Sequence, residues 1–202
     1  MIEAALILGG YLLGSMPFGY WVVRAAKGVD IRTVGSGNIG ASNVWRTYGK
    51  GYGIPIVLLD IAKGFVPAAV ATSVAGELFG VLAGAAAMLG HWRPLFLRFQ
   101  RGGKMVASAG GAFLGVAPLV GAVGVGLWIG AFLVTRYASV ASIATGLLLP
   151  IAAFLLGRPW PVVAFAAVSG LAVIVLHRAN IARLRAGTET RFRLRRGDAA
   201  AG

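Results

Sequence analysis

Hydrophobic positions along this chain fall in long, nearly unbroken blocks, and the polar residues gather in the gaps between them. A helix that crosses a bilayer needs about 20 mainly apolar residues, fewer where neighbouring helices cover it. On that measure the pattern predicts seven spans: Ile2–Val23, Ile54–Ala75, Glu77–His91, Met105–Ala117, Pro118–Thr135, Ala138–Leu156 and Pro161–Leu176. The fourth is short and rich in Gly and Ala, which suits close packing inside a bundle. A polar stretch, Arg24–Gly53, separates the first two, and a basic loop, "WRPLFLRFQRGGK", precedes the fourth. No repeat and no second unit is visible. The reading is one all-α, polytopic membrane unit over residues 1–192, followed by a disordered basic tail at 193–202.

Composition sharpens this. Hydrophobic residues make up 58% of the 202 and charged residues only 12%, well above the roughly 45–50% apolar share of soluble domains. A basic nucleic-acid-binding domain would be far more polar, so that class is set aside. The absence of cysteine excludes disulfides, thiolate metal sites and acyl-cysteine intermediates. The first segment lacks a basic region ahead of its apolar run, with Arg24 and Lys27 after it instead, so it reads as a retained helix and not a cleaved leader.

Charge then fixes an orientation. With the N-terminus outside, the inner segments hold Arg24, Lys27, Arg32, Arg46 and Lys50, then Arg93, Arg98, Arg101 and Lys104, then Arg136, then seven arginines from Arg178 to Arg196. The outer turns hold only Arg158, and Lys63 lies within a span. Inner loops rich in Lys and Arg are the expected bias. The C-terminus and every glycine-rich loop therefore fall on the cytoplasmic face of a cell membrane.

Four polar constellations could carry chemistry. The first is "GSGNIGASNVWR", with Gly35, Ser36, Gly37, Asn38, Gly40, Ser42, Asn43 and Arg46. Its spacing imitates the dinucleotide fingerprint G-x-G-x-x-G, and Asp60 follows at about the expected distance. A Rossmann turn, however, needs a strand before it and a parallel sheet around it. Here the chain soon enters a membrane helix that contains Asp60. What remains is an anion cradle, glycines and amides around a guanidinium, or alternatively a flexible connection.

The second constellation is Asp60 with Lys63, three apart on one face, either a structural ion pair or a ligand pair. The third is His91 with Gly102, Gly103 and Lys104 ahead of a helix, a place suited to an anion. Arg93, Arg98 and Arg101 read as contacts to lipid headgroups. His91 is open to an interfacial or a catalytic role. The fourth gathers Arg136, Ser139 and Ser142 with His177, Arg178 and Asn180, His177 and Asn180 sharing a helical face; the alternative for His177 is a helix-end residue that caps carbonyls.

Two histidines and no cysteine offer no plausible metal site, and no cofactor is called for. No Ser-His-Asp arrangement is apparent, Asp60 being the only acid placed near mid-membrane. Phosphate cradles are abundant and proton-transfer groups scarce. That balance suggests an enzyme that positions phosphorylated substrates already activated for reaction.

The segments "GSMPFGY", "DIRTVGSGNIGASNVWRTYGKGYGIPIVLLDIAKGFVP", "GHWRPLFLRFQRGGKMVAS", "RYASVAS" and "HRANIARLRAGTE" resemble, in order and spacing, the membrane-bound bacterial acyl-phosphate:glycerol-3-phosphate acyltransferases. The resemblance runs from about residue 14 to residue 192. It implies transfer of a fatty acyl group from acyl-phosphate to the 1-hydroxyl of sn-glycerol 3-phosphate, in phospholipid biosynthesis, without an acyl-enzyme. It also implies that Arg46, Lys104, Ser142, His177 and Asn180 form the glycerol-3-phosphate and catalytic set. Ser36, Asn38 and Asn43 would cradle the acyl-phosphate together with Gly35, Gly37, Gly40, Gly102 and Gly103. Asp60, Lys63, His91 and Arg136 would be structural or secondary. Partners are then the two substrates and membrane lipids, with no nucleic acid and no metal. Three positions depart from the family pattern: Met105 where a further glycine is usual, Arg93 where an aromatic is usual, and Leu176 where an arginine is usual. Two other classes stay open, a related transferase with another phosphorylated acceptor and an organic-anion transporter.

Overall fold

The first apolar block does not form one straight helix. Pro17 lacks an N–H and disfavours helical geometry at Met16, so the block splits into α1 (Ile2–Gly14) and α2 (Phe18–Lys27). The groups freed at the break find partners: Ser15 Oγ donates to Tyr11 O at 2.7 Å, and Lys63 Nζ donates to Met16 O at 2.9 Å. These positions belong to a computed structural model that describes residues 1–192. The tail expected at 193–202 lies outside the described residues.

Among the described residues the chain is all helical, with no strand. After α2 come α3 (Ala41–Tyr48), α4 (Lys50–Ala75), α5 (Glu77–Trp92), α6 (Val106–Val116), α7 (Pro118–Thr135), α8 (Ala138–Leu155), α9 (Trp160–Leu176) and α10 (Arg178–Arg185). The expected segment ends hold to within a residue or so, except at the end of α2, which runs four residues past Val23 to Lys27, and at the start of α4. That helix starts at Lys50, four residues ahead of the apolar block, because Gly49 at φ 88° turns the chain directly into it. Two helices were not expected. The amphipathic α3 stands between the glycine-rich loop and α4, and α10 follows α9 after a 56° bend at His177.

Four helical stretches are long and apolar enough to cross a membrane: Ile2–Lys27, Lys50–Ala75, Pro118–Thr135 and Ala138–Leu155. The bent pair α9 and α10 adds a fifth if it counts as one span. Large apolar side chains such as Leu133, Val134, Phe154, Leu155 and Val168 are more than half exposed on these helices. In water such a surface would aggregate; in a multi-pass membrane protein it faces lipid.

Close packing at the centre rests on small residues. The α4 backbone approaches α6 so nearly that a methyl group on Gly64 would overlap the Ser108 backbone, and one on Gly111 would overlap Ile61. Bilayer helices associate by this kind of contact, since lipid tails provide no hydrophobic drive between them. Beside the seam, Phe113 and Phe165 pack with ring centroids 4.6 Å apart among Met88, Val116, Val120 and Val162. The result is a rigid platform for the polar groups at one end of the bundle. At a distance from them, Arg158 Nη2 pairs with Glu77 Oε2 at 3.0 Å, tying the loop before α9 to the start of α5.

Candidate active site

The glycine-rich loop turns back on itself because Gly35 and Gly37 adopt φ 61° and 67°, a left-handed geometry that costs glycine little. Asn43 on α3 holds the turn. Its Oδ1 accepts from Ser36 N at 2.9 Å, while its Nδ2 donates to Val34 O at 3.0 Å and Asn38 O at 2.9 Å. Asn38 Oδ1 accepts from Gly40 N at 2.7 Å, and Gly37 N donates to Val34 O at 3.1 Å. The N–H groups of Ser36, Gly37 and Gly40 are thus directed into the loop itself. Ser36 remains on the open side, where it lines two adjoining cavities.

A second loop approaches from the end of α5. Gly102 N donates to Trp92 O at 2.8 Å and Gly103 N to His91 O at 2.9 Å, which fixes where Lys104 begins. Lys104 Nζ hydrogen-bonds Asn180 Oδ1 on α10. Burial pushes Lys104 down to about 8; Glu189 opposes that shift, while the charges of Arg183, Arg101 and Arg46 reinforce it. A lysine surrounded by cations in a partly dry site gains from a bound anion.

Glu189 organises the opposite wall. Its Oε1 accepts from Asn180 Nδ2 at 2.6 Å and Ser139 Oγ at 2.8 Å, and its Oε2 from Arg183 Nε at 2.7 Å. Burial alone would raise this carboxyl, but the three donors outweigh it and hold it below its ordinary value. Arg46 leans across the same wall, donating to Thr190 O at 3.4 Å with its guanidinium 5.3 Å from the Phe192 ring centroid. Burial, partly opposed by Glu189, lowers its pKa as well.

The larger cavity, about 310 Å³, is lined by Gly35, Ser36, Asn43, Arg46, Thr47, Arg183, Glu189 and Thr190. The smaller, about 80 Å³, is lined by Ser36, Gly37, Asn38, Arg101, Lys104, Ala179, Asn180 and Arg183. Ser36 and Arg183 belong to both walls. The two spaces lie back to back, one with Arg46 and the other with Lys104.

The remaining residues singled out in the sequence sit around this pair of cavities. His177, 4% exposed, closes α9 with Nδ1 2.8 Å from Val173 O. That contact assigns the proton to Nδ1 and leaves Nε2 as the acceptor. Ser142 on α8 is also buried, donating to Ala138 O and accepting from Trp128 Nε1. Arg136 ends α7 at φ 62°, and its carbonyl accepts from Phe192 N at 2.9 Å. Gly102, Gly103, Gly40, His177, Ser142 and Arg136 line neither cavity, and Asp60, Lys63 and His91 form a buried cluster apart from both.

Sequence reasoning missed Glu189 and Arg183. It weighed Asp60 as the only acid near mid-membrane, whereas Glu189 is the carboxylate that lines the larger cavity. The available signal was its isolation: a single acid in the strongly basic run "RLRAGTETRFRLRR" needs several donors to justify it.

A family model described as glycerol-3-phosphate acyltransferase matches residues 4–187. Among curated relatives, the glycerol-3-phosphate acyltransferase of Geobacter metallireducens is 49% identical, covering 96% of this chain and 99% of its own. The enzyme of the same name from Desulforudis audaxviator is 44% identical, covering 96% and 98%. A crystal structure of PlsY (YgiH), an integral membrane glycerol 3-phosphate acyltransferase, in its glycerol 3-phosphate form superposes with a TM-score of 0.91. It is 42% identical and covers 96% of each chain. The lysophosphatidic acid form of PlsY gives 0.88 at 41% identity, again covering 96% of each chain.

Proposed function

From the premise that the chain belongs to the glycerol-3-phosphate acyltransferase family, we propose how its two cavities divide the reaction. The protein is an acyltransferase of phospholipid biosynthesis that acylates glycerol 3-phosphate to lysophosphatidic acid. The donor is a fatty acyl-phosphate. Its acyl chain lies between helices and its phosphate rests against Ser36, Lys104 and Asn180. The acceptor's phosphate sits in the larger cavity against Arg46 and Arg183. The observation that carries this reading is the shared wall: Ser36 and Arg183 border both spaces, so two anions held there lie side by side.

The chemistry needs little beyond alignment and charge. The 1-hydroxyl oxygen of glycerol 3-phosphate attacks the acyl carbonyl carbon, and the bond from that carbon to the bridging oxygen breaks. Ester forms, and the released phosphate carries away the hydroxyl proton. His177 lines neither cavity but opens the turn that carries Asn180, and a hydroxyl reaching past Asn180 meets its Nε2, kept as an acceptor by the bond from Nδ1 to Val173 O, which orients it. Lys104, Arg101 and Arg183 stabilise the charge that grows on the leaving phosphate, which two anionic reactants would otherwise oppose. Gly35, Gly37, Gly40, Asn38 and Asn43 shape the loop, while Gly102 and Gly103 place Lys104. Ser142 packs beneath the site, and no enzyme nucleophile, metal or cofactor takes part.

We assign seven spans, with α1 and α2 forming one and α4 to α9 the rest. The N-terminus lies outside and the site at the cytoplasmic face of the bacterial cell membrane. The concentration of Lys and Arg in the segments that build the site supports this orientation. The deciding experiment uses purified protein in detergent with palmitoyl-phosphate and glycerol 3-phosphate, following phosphate release. Turnover with acyl-phosphate and none with acyl-CoA is expected. Turnover with acyl-CoA alone overturns the donor assignment.

A further inference from the structure

Away from the two cavities, three titratable side chains share a site that the reaction does not use. Asp60, Lys63 and His91 are 2%, 4% and 4% exposed. Lys63 Nζ lies 2.7 Å from Asp60 Oδ1 and also donates to Met16 O at the break in the first helix. His91 Nδ1 faces the same Asp60 oxygen at 3.6 Å and has no hydrogen-bond partner. Charged groups buried among apolar helices are costly even when paired, which makes this cluster a place to look for a positioning role.

What it adjoins is the loop that carries Lys104. The His91 carbonyl accepts from Gly103 N at 2.9 Å. The His91 ring lies so close that a methyl group on Gly103 would overlap it, and one on Gly102 would overlap the His91 carbonyl. The imidazole is therefore a wall for the loop on one side and faces a carboxylate on the other. A ring released from Asp60 could turn into the space that Gly103 occupies.

We propose that Asp60, Lys63 and His91 form a positioning unit for Lys104. The Asp60–Lys63 pair anchors α4 to the broken first helix and sets the field that orients the His91 ring. The ring and its carbonyl seat Gly103, and Gly103 sets where Lys104 meets Asn180 and the incoming phosphate. These are positioning residues, acting through Lys104 and touching no substrate. The inference rests on the reading of Lys104 as a phosphate ligand.

The test is His91→Leu in the full-length protein in detergent, a change that keeps bulk and leaves the Asp60–Lys63 pair intact. Hydrogen exchange is read at residues 102–104, and KM for glycerol 3-phosphate and for acyl-phosphate by phosphate release. Exchange there should speed up by roughly tenfold with α9 protection unchanged, and KM for acyl-phosphate should rise more than kcat falls. Unchanged exchange at the loop, or KM within about twofold of the parent, overturns the proposal. So does exchange that rises equally in every helix, which marks a structural role alone. Should His91→Leu not fold, the pair D60N/K63M removes both charges together and is read the same way; failure of both to fold also overturns it. If the parent protein shows no turnover, the reading of the site fails, while the exchange measurement still reports on the loop.

Discussion

Replacing Asn43 by alanine isolates the hydrogen bonds that hold the glycine-rich loop in place. The side chain is 2% exposed and makes three close hydrogen bonds to Ser36 N, Val34 O and Asn38 O, all within the glycine-rich loop. A neutral hydrogen bond contributes a net of about 1 kcal/mol. The loop borders an open cavity, so water replaces part of what is lost. A net cost of about 2 kcal/mol to the ordered loop follows, a factor of roughly 30 in its population. Because the loop can open without unfolding the bundle, the thermal midpoint in detergent should hardly move. By contrast, kcat/KM should fall by about that factor, with both substrates affected because Ser36 borders both cavities. Asn43→Asp is the sharper arm. It keeps the acceptor for Ser36 N, loses both donors, and sets a carboxylate against two carbonyls beside an anion site, so it should be worse than alanine. Asn43→Ala within threefold of the parent, or Asn43→Asp better than Asn43→Ala, would refute the reasoning.

Further outcomes follow from the same geometry. With Lys104 depressed to about 8, the ammonium is charged below that pH and lost above it, so kcat/KM should decline as pH rises through about 8. A bound phosphate favours the charged form, so the decline in kcat should lie higher, and Lys104→Arg should move both limbs out of range. Met105 is 4% exposed and sits at φ 67°, where glycine is at ease. Met105→Gly relieves about 1 kcal/mol of backbone strain but empties a core position worth about 2–5 kcal/mol, so thermal unfolding should show net destabilisation. A gain in stability would mean the side chain packs against nothing useful. Glu189→Ala leaves Asn180, Ser139 and Arg183 without their shared acceptor and should lower both midpoint and turnover, whereas Glu189→Gln keeps one acceptor and should be milder. Equal effects from the two substitutions would argue against the hydrogen-bonded hub.

Helix positions were readable because apolar blocks and their glycine or proline ends are local signals, as at Pro118, where helix and expectation coincide. The break at Pro17 was local too, but an unbroken run of hydrophobicity masked it. Helices α3 and α10 are short, polar and held by tertiary contacts, so a hydropathy pattern passes over them. Among the cavity-lining residues, Arg46 and Lys104 were legible as cations near glycines, and Asn180 as an amide spaced three from His177. Their division between two cavities was not, because it depends on Arg183 and Glu189 arriving from the far end of the chain. Asn43, expected in the acyl-phosphate cradle, lines the larger cavity with its amide already bonded to the loop. Sequence reports which groups can bond, and only the folded arrangement tells which are already satisfied.

Helix α6 has 11 residues and α5 has 16, lengths of about 17 and 24 Å at 1.5 Å per residue, against a hydrocarbon layer of about 30 Å. No residue of α6 is exposed, so neighbouring helices cover this short segment and no lipid has to reach its ends. On the seven-span assignment proposed above, so short a helix lets the loop with Lys104 sit below the membrane surface, where a donor presents its carbonyl without lifting its chain out of the oil.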